Sequence, residues 1–251
     1  MGLKEYFGNI KKAAAAFSGG VDSSYLIYAA KEYGTDITAY YVKTAFQPSF
    51  EYDDAVRLAG DVGVRMKTIE LDILSDETIA KNSADRCYFC KRTILRAVKT
   101  AAAADGYDIL LEGTNASDDV SDRPGMRAIK ELSVLSPLRE CGLSKSDIRK
   151  LSKEAGLFTY DKPSYSCLAT RIMNGAYITA DKLSRIERAE HALIDLGFSD
   201  MRVRLFGENA VLQFTKGDIK RAFSSYETIR ERISELFGTV SIDIKERDIK
   251  L

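Results

Sequence analysis

The heptad Ser18-Gly19-Gly20-Val21-Asp22-Ser23-Ser24 constrains this chain more than any other stretch. It follows a run of small and apolar residues, 13–17, that reads as a buried strand. It opens a segment in which Leu26, Ile27, Ala29 and Ala30 recur at helical spacing until Gly34 stops it. Two glycines at a strand-to-helix junction let the backbone approach an anion with no Cβ in the way. The free N–H groups and dipole of the helix start then meet phosphate oxygens. The dipole contributes only about 0.3–1 kcal/mol at an exposed site, so hydroxyls and a magnesium ion, with Asp22 as its ligand, must share the work. The Walker lysine and spacing are absent, and Asp22 follows the glycines too closely for a dinucleotide fingerprint.

The strand–helix alternation continues. Residues 37–42 read as a strand, 53–62 as a helix, 64–71 as a strand, 88–104 as a helix and 107–111 as a strand leading into a polar stretch, 112–125. Such alternation implies a parallel sheet covered on both faces, with ligands beyond the carboxyl ends of its strands. The loops after Phe17 and Leu111 then face one cavity if their strands are neighbours. A capped helix follows over 144–155, then an aperiodic loop over 159–175. A long helix over 179–196, strands over 201–205 and 210–214, a helix over 217–237 and a strand over 240–244 complete a separate small α+β unit. The expected division is 1–165 for the α/β domain and 166–251 for the smaller one.

Lysine plus arginine equals aspartate plus glutamate at 37 each, which disfavours a nucleic-acid-tracking surface and points to a small-molecule partner. No apolar run approaches the roughly 18 residues of a membrane span, and residues 1–10 carry no secretory pattern, so a cytoplasmic setting is expected. One histidine, His191, removes most triads and His-rich metal sites; on its charged helix it reads as a surface residue.

Four cysteines in a reducing compartment read as metal binding or catalysis. The pair Cys87 and Cys90 alone fits zinc, redox chemistry or chance equally well. Cys167, in the aperiodic loop, adds a third thiol, and three thiolates without histidine match a 4Fe-4S cluster with one open iron better than a closed zinc site. Cys141 is the remaining candidate ligand and reads as a bystander. Arg202 and Arg204 alternate on one strand face, where either a phosphate clamp or a solvated face fits.

The heptad resembles the PP-loop of the ATP pyrophosphatase (adenine nucleotide α-hydrolase-like) family, which includes NAD synthetase, GMP synthetase and tRNA thiolases. The stretch from Glu112 through Gly113, Thr114 and Asn115 to Asp119 is similar to the family's second nucleotide loop. Over nearly the whole length the chain resembles the LarE-type sulfurtransferases of nickel-pincer cofactor biosynthesis. That resemblance rests on the PP-loop, residues Asp85 to Arg92, the turn Asp122-Arg123-Pro124-Gly125, the Ser166-Cys167 loop and the strand Met201 to Arg204. It implies ATP, Mg2+ and a small nucleotide substrate, with Ser18, Gly19, Gly20, Asp22, Ser23, Ser24, Gly113 and Thr114 binding ATP. It also implies that Cys167 carries the sulfur, that members with the Cys87/Cys90 pair hold a 4Fe-4S cluster, and that Glu190, Arg202 and Arg204 contact the substrate phosphate. Gln213 stands where the family carries a glutamate, which weighs against a metal in the C-terminal unit. The implied reaction is adenylation of a carboxylate followed by sulfur insertion, with sulfide or a carrier as donor and a homo-oligomer as the working form. A tRNA thiolase and a non-catalytic nucleotide-binding metal sensor are the alternatives. The first should show a basic surface, the second no ATP turnover.

Overall fold

Strand pairing in the computed structural model, which describes residues 1–118 and 124–247, begins where the glycine loop begins. The chain runs α1 (Leu3–Gly8), β1 (Lys12–Phe17), α2 (Val21–Glu32), β2 (Asp36–Lys43), α3 (Ser49–Val62) and β3 (Arg65–Glu70). After a one-turn helix, Glu77–Ala80, come α4 (Arg86–Ala104), β4 (Leu110–Leu111), α5 (Pro124–Glu131), α6 (Pro137–Glu140) and α7 (Lys145–Glu154). The last elements are α8 (Ala180–Asp195), β5 (Met201–Phe206), β6 (Asn209–Phe214), α9 (Ile219–Ser224), α10 (Tyr226–Ile233) and β7 (Val240–Ile242).

Two units divide the chain. The first holds Met1–Ile73 and Asp85–Lys162; the second holds Leu74–Ala84 and Pro163–Leu251. The second is therefore discontinuous, a feature absent from the expected 165/166 division. Asn82 accounts for it: fully buried, it donates its side-chain amide to the Met173 carbonyl at 2.7 Å and accepts the Gly175 N–H at 2.8 Å.

In the first unit the sheet order is β3-β2-β1-β4, with every pair parallel. β1 shows why alanine serves here. Ala13, Ala15 and Phe17 face one core with Ile37, Ala39 and Tyr41, together with Leu26 and Ile27 of α2 and Leu58 of α3. Ala14 faces the other with Tyr40 and Val42, Leu95 and Val98 of α4 and Ile129 of α5. The period-two alternation is thus present but apolar on both faces, as a sheet covered on both sides demands. The strand expected over 107–111 pairs only at Leu110–Leu111, because Gly106, at φ +77°, and Tyr107 are spent closing α4.

The second unit packs β5 antiparallel to β6 and β6 parallel to β7. The single helix expected over 217–237 is two, broken at Ser225 beside Ser224, where paired serines favour a kink. Helices α1, α5 and α6, which periodicity did not mark, are each eight residues or fewer. Among the described residues no helix is long and apolar enough to cross a membrane.

Candidate active site

β1 delivers the chain to Ser18, and Gly19 turns it with φ +73°. A Cβ on Gly19 would lie 3.0 Å from Ala55 Cβ and 3.2 Å from the Glu51 carbonyl oxygen, so the first turns of α3 press directly on the loop. The loop closes on itself. The Ser18 and Ser23 hydroxyls lie 3.0 Å apart, and Ser23 donates to the Gly20 carbonyl at 3.1 Å. Gly20 is the N-cap of α2 and supplies no capping side chain, which leaves the helix start to an anionic ligand.

Since β1 and β4 are neighbours, the loop after Leu111 reaches the same place. A Cβ on Gly113 would sit 2.9 Å from the Ser23 backbone nitrogen and 3.1 Å from its Cα. Only glycine permits that approach. Glu112, buried beside it, accepts from Lys91 at 3.1 Å, from the Thr114 hydroxyl at 2.7 Å, from the Thr114 N–H at 3.0 Å and from the Ser136 hydroxyl at 2.5 Å. Thr114 thus braces the loop through Glu112, and nearby the Asn115 N–H donates to the Asp118 carboxylate at 3.1 Å while the Asn115 side-chain oxygen accepts from the Ser117 N–H at 2.8 Å. Ser24 is fully buried and its hydroxyl has no partner among the described residues. Asp119, Asp122 and Arg123 lie outside the described residues.

Asp22 is the charged centre of this crevice. Burial pushes its carboxyl up from the usual value while Lys145 pulls it down through charge and a hydrogen bond. The Lys145 ammonium lies 2.6 Å from Oδ2; Oδ1 is buried and has no hydrogen-bond partner among the described residues. A carboxylate with one oxygen unsatisfied fits a ligand of Mg2+, which takes one or two protein carboxylates besides nucleotide phosphates. Lys145 was not among the residues singled out from sequence. Its signal was the Ser144/Asp147 capping box, which places it at the first position of α7.

A second acid pair flanks the loop. Lys162 lies 3.0 Å from Glu51 and 2.7 Å from Asp54 on α3, and burial pushes Glu51 above its ordinary range despite that lysine. Arg149 of α7 donates to the carbonyls of Tyr160 and Lys162 at 2.6 and 2.8 Å.

The second unit carries its own polar cluster. Cys167 caps a 3-10 turn, Leu168–Arg171, and Arg171 fixes that turn from within. Fully buried, Arg171 donates to Glu190 at 2.9 and 3.0 Å, to the Ser166 carbonyl at 2.5 Å, to the Cys167 carbonyl at 3.2 Å and to the Thr170 hydroxyl at 3.0 Å. Burial opposes its charge, but the hydrogen bonds and charge of Glu190 outweigh burial and leave its pKa raised. Glu190 also accepts from Tyr165 and from the Val203 N–H at 2.9 Å. The Tyr165 ring lies under Arg171 and Arg202, 4.5 and 5.0 Å from ring centre to guanidinium, and burial with Glu190 raises its pKa.

Arg202 is buried and donates to the carbonyls of Met201 and Ser164 at 2.7 and 2.9 Å. Burial, with Arg171 and Arg247, pulls its pKa down to about 10. Arg204 donates to Gln213 at 3.0 Å and to the Thr170 carbonyl, and burial lowers it too. Arginines lowered by one another's charge make a setting that favours an anion. Glu190 serves here as the counter-charge of Arg171, and Gln213 as a bridge from Arg204 to Asp243 at 2.9 Å. His191 is exposed.

Cys87 and Cys90 occupy the first turn of α4, the former exposed, with Arg86 Nη2 3.4 Å from Cys87 Sγ. None of the four cysteines is in a disulfide. Cys141 caps α6, half-buried against the first unit's core, and burial pushes its thiol up. Among the described residues no three Cys, His, Asp or Glu side chains are gathered to hold a metal.

The profile of the thiamine biosynthesis protein ThiI family matches residues 8–193. An uncharacterized protein of Synechocystis sp., slr1717, is 36% identical over 206 residues, covering 80% of this chain and 76% of the relative. The pyridinium-3,5-bisthiocarboxylic acid mononucleotide synthase of Lactiplantibacillus plantarum is 29% identical over 94% of this chain and 87% of its own length. A tRNA-specific 2-thiouridylase, MnmA 1 of Clostridium botulinum, is 26% identical over 82% of this chain and 67% of its own. With its glycine loop at a parallel-strand terminus and this match to three quarters of its length, the chain belongs to the ThiI family of PP-loop enzymes and is an ATP-dependent sulfurtransferase of the LarE type.

Proposed function

We propose that the enzyme adenylates a carboxylate of a pyridinium-type mononucleotide and replaces the activated oxygen with sulfur, giving a thiocarboxylate for a nickel-pincer cofactor. The observation that carries this reading is Arg171: one buried guanidinium holds the Cys167 turn and the Glu190 carboxylate beside Arg202 and Arg204. A sulfur-bearing residue next to an anion-favouring arginine group suits a substrate with a phosphate handle. The similarity to the Lactiplantibacillus synthase supports the same substrate class.

In the first step a substrate carboxylate oxygen bonds to the α-phosphorus and the bond to the β-phosphate bridging oxygen breaks, so pyrophosphate leaves with the electron pair. Ser18, Gly20, Ser23 and the start of α2 hold the departing group, and Gly113 keeps the second loop against them. In the second step sulfide attacks the acyl carbon and AMP leaves; where the Cys167 thiolate attacks instead, AMP leaves and the Cβ–S bond of the thioester then breaks with loss of the Cys167 Cα proton, leaving dehydroalanine and the thiocarboxylate. Cys167 is the proposed sulfur-bearing residue, and sulfide or a carrier the proposed donor. The proposed setting is cytoplasmic, with the chain acting as a homo-oligomer.

A 4Fe-4S cluster is the finer part of this proposal. Cys87 and Cys90, one helical turn apart, can ligate together, and Cys167 supplies the third thiolate; when bound, the cluster offers an iron open to sulfide. Anaerobic purification with iron and sulfide analysis, on wild type and Cys167→Ala, tests the whole reading. About four irons with matching sulfide, lost in the variant, together with ATP-dependent thiocarboxylate formation from a carboxylated pyridinium mononucleotide, are the expected results. Metal-free protein that stops after one turnover removes the cluster and leaves Cys167 as a sacrificial donor. Pyrophosphate release with no thiocarboxylate removes the substrate assignment.

A further inference from the structure

The carbonyl oxygen of Cys167 accepts three hydrogen bonds: from the Thr170 N–H at 3.0 Å, from the Thr170 hydroxyl at 2.8 Å and from Arg171 Nη1 at 3.2 Å. A 3-10 turn closes with one N–H on its first carbonyl, and threonine commonly bonds back along the chain, so the first two belong to ordinary turn chemistry. The guanidinium does not. It is fully buried, and Nη1 also donates to the Thr170 hydroxyl at 3.0 Å, so its positive charge reaches the Cys167 carbonyl both directly and through a polarised hydroxyl. A peptide carbonyl has two lone pairs. Three donors, one of them a buried cation, exceed what closing a turn requires.

Donors gathered in this way suit an oxygen on which negative charge develops. A carbonyl develops that charge when the proton on its neighbouring Cα is removed, because the electron pair left on Cα delocalises onto oxygen. At Cys167 this is the charge that forms as sulfur leaves Cβ. Glu190, the carboxylate of this cluster, is not the base for that proton: Arg171 donates to both its oxygens, and Tyr165 and the Val203 N–H donate to it as well. Cys167 is only half-buried, which leaves the proton a path to solvent.

We infer that Thr170 and Arg171 form an oxyanion site for the Cys167 carbonyl itself and catalyse the loss of sulfur from this residue. In that step the Cα–H bond breaks and its proton passes to a solvent base. The electron pair left on Cα becomes the Cα=Cβ bond, and the thiocarboxylate leaves with the electron pair of the Cβ–S bond, so no oxidant or reductant is consumed. The inference deepens the proposed function: it rests on Cys167 as the sulfur-bearing residue and applies where the Cys167 thiolate attacks the acyl carbon.

S-cyanylation of the full chain tests it without ATP or substrate, because it gives each labelled cysteine a good leaving group, thiocyanate. None of the four cysteines is in a disulfide, and Cys141, also half-buried, is the internal comparison. Peptide mass spectrometry times dehydroalanine formation at both positions in wild type, Thr170→Val and Thr170→Ser. Arg171 is left in place, since it also holds Glu190 and its loss would undo the turn. Cys167 should eliminate at least about tenfold faster than Cys141, and Thr170→Val should slow it by about 10- to 100-fold, within or just below the cost of one oxyanion donor. Thr170→Ser, which keeps the hydroxyl, should restore the rate. Equal rates at the two cysteines overturn the inference, as does an unchanged rate in Thr170→Val or a Thr170→Ser variant as slow as Thr170→Val. Fast elimination from the cyanylated protein, with no dehydroalanine at position 167 after turnover with ATP and a carboxylated pyridinium mononucleotide, supports the oxyanion site and overturns Cys167 as the sulfur donor of the proposed function.

Discussion

Glu51 shows how a single side chain beside the nucleotide loop can cost stability. Its carboxyl is pushed above 4.5 by burial, and Lys162 does not fully offset the effect. The folded protein therefore holds this proton more tightly than the unfolded chain does. The corresponding stability is complete below pH 4.5 and is lost as pH rises through the folded value. Glu51→Gln removes that dependence and leaves Lys162 paired with Asp54. In melting curves taken between about pH 4 and 7, the variant should gain on wild type as pH rises. Parallel curves would show that Glu51 is not held in that state. At this scale the sequence was informative about glycines and mute about charges. Gly19 was legible because backbone approach to an anion permits little else, and Gly113 through the likeness of its loop to the family's second nucleotide loop. Lys145 and Lys162 are ordinary lysines until the fold places Asp22, Glu51 and Asp54 against them. Arg171 was missed, since no periodicity announces a guanidinium fully buried against four polar partners, Ser166, Cys167, Thr170 and Glu190.

Among the elements, α7 bears most on the chemistry, because it carries both Lys145 and Arg149. Its start is fixed by the reciprocal bonds of Ser144 and Asp147. Ser144→Ala should lower stability by about 0.5–2 kcal/mol, the usual cost of a lost cap. Urea unfolding measures it, with amide exchange reporting fraying at residues 145–148. A loss under about 0.3 kcal/mol would mean that the Ser117 bond alone holds the helix start. Helices and strands with long apolar periods were read within a few residues of where they lie: α2, α3, α4, α7 and α8, and β1, β2, β3, β5 and β6. The short α1, α5 and α6 escaped notice because a helix of two turns offers too few apolar positions for a period to register. The break at Ser225 escaped because Ile229 and Ile233 continue the apolar face across it.

For the molecule as a whole, the discontinuous second unit is what sequence could not reveal. Residues 74–84 fall between the strand expected over 64–71 and the helix expected over 88–104, and nothing local says that Asn82 will satisfy carbonyls ninety residues away. Asn82 also sits at φ +54°, which asparagine tolerates and alanine resists. Asn82→Ala should therefore destabilise the protein by about 1–3 kcal/mol through orphaned carbonyls alone, with backbone strain added. Asn82→Gly relieves the strain and keeps the hydrogen-bond loss. Denaturant midpoints for the two variants separate the contributions, and a wild-type midpoint in Asn82→Gly would sink the hydrogen-bond account.

The same arrangement sets a timetable for synthesis. Leu74–Ala84 leaves the ribosome long before Pro163–Leu251 exists, and at about 5–20 residues per second the gap is on the order of ten seconds. During it β1, β2, β3 and β4, all complete by Leu111, can pair. Ile79 and Ala80, buried in the finished protein, stand bare meanwhile. This enzyme must therefore be born with an apolar segment waiting for its partner, and its yield in a cell should depend on what shields that segment until translation ends.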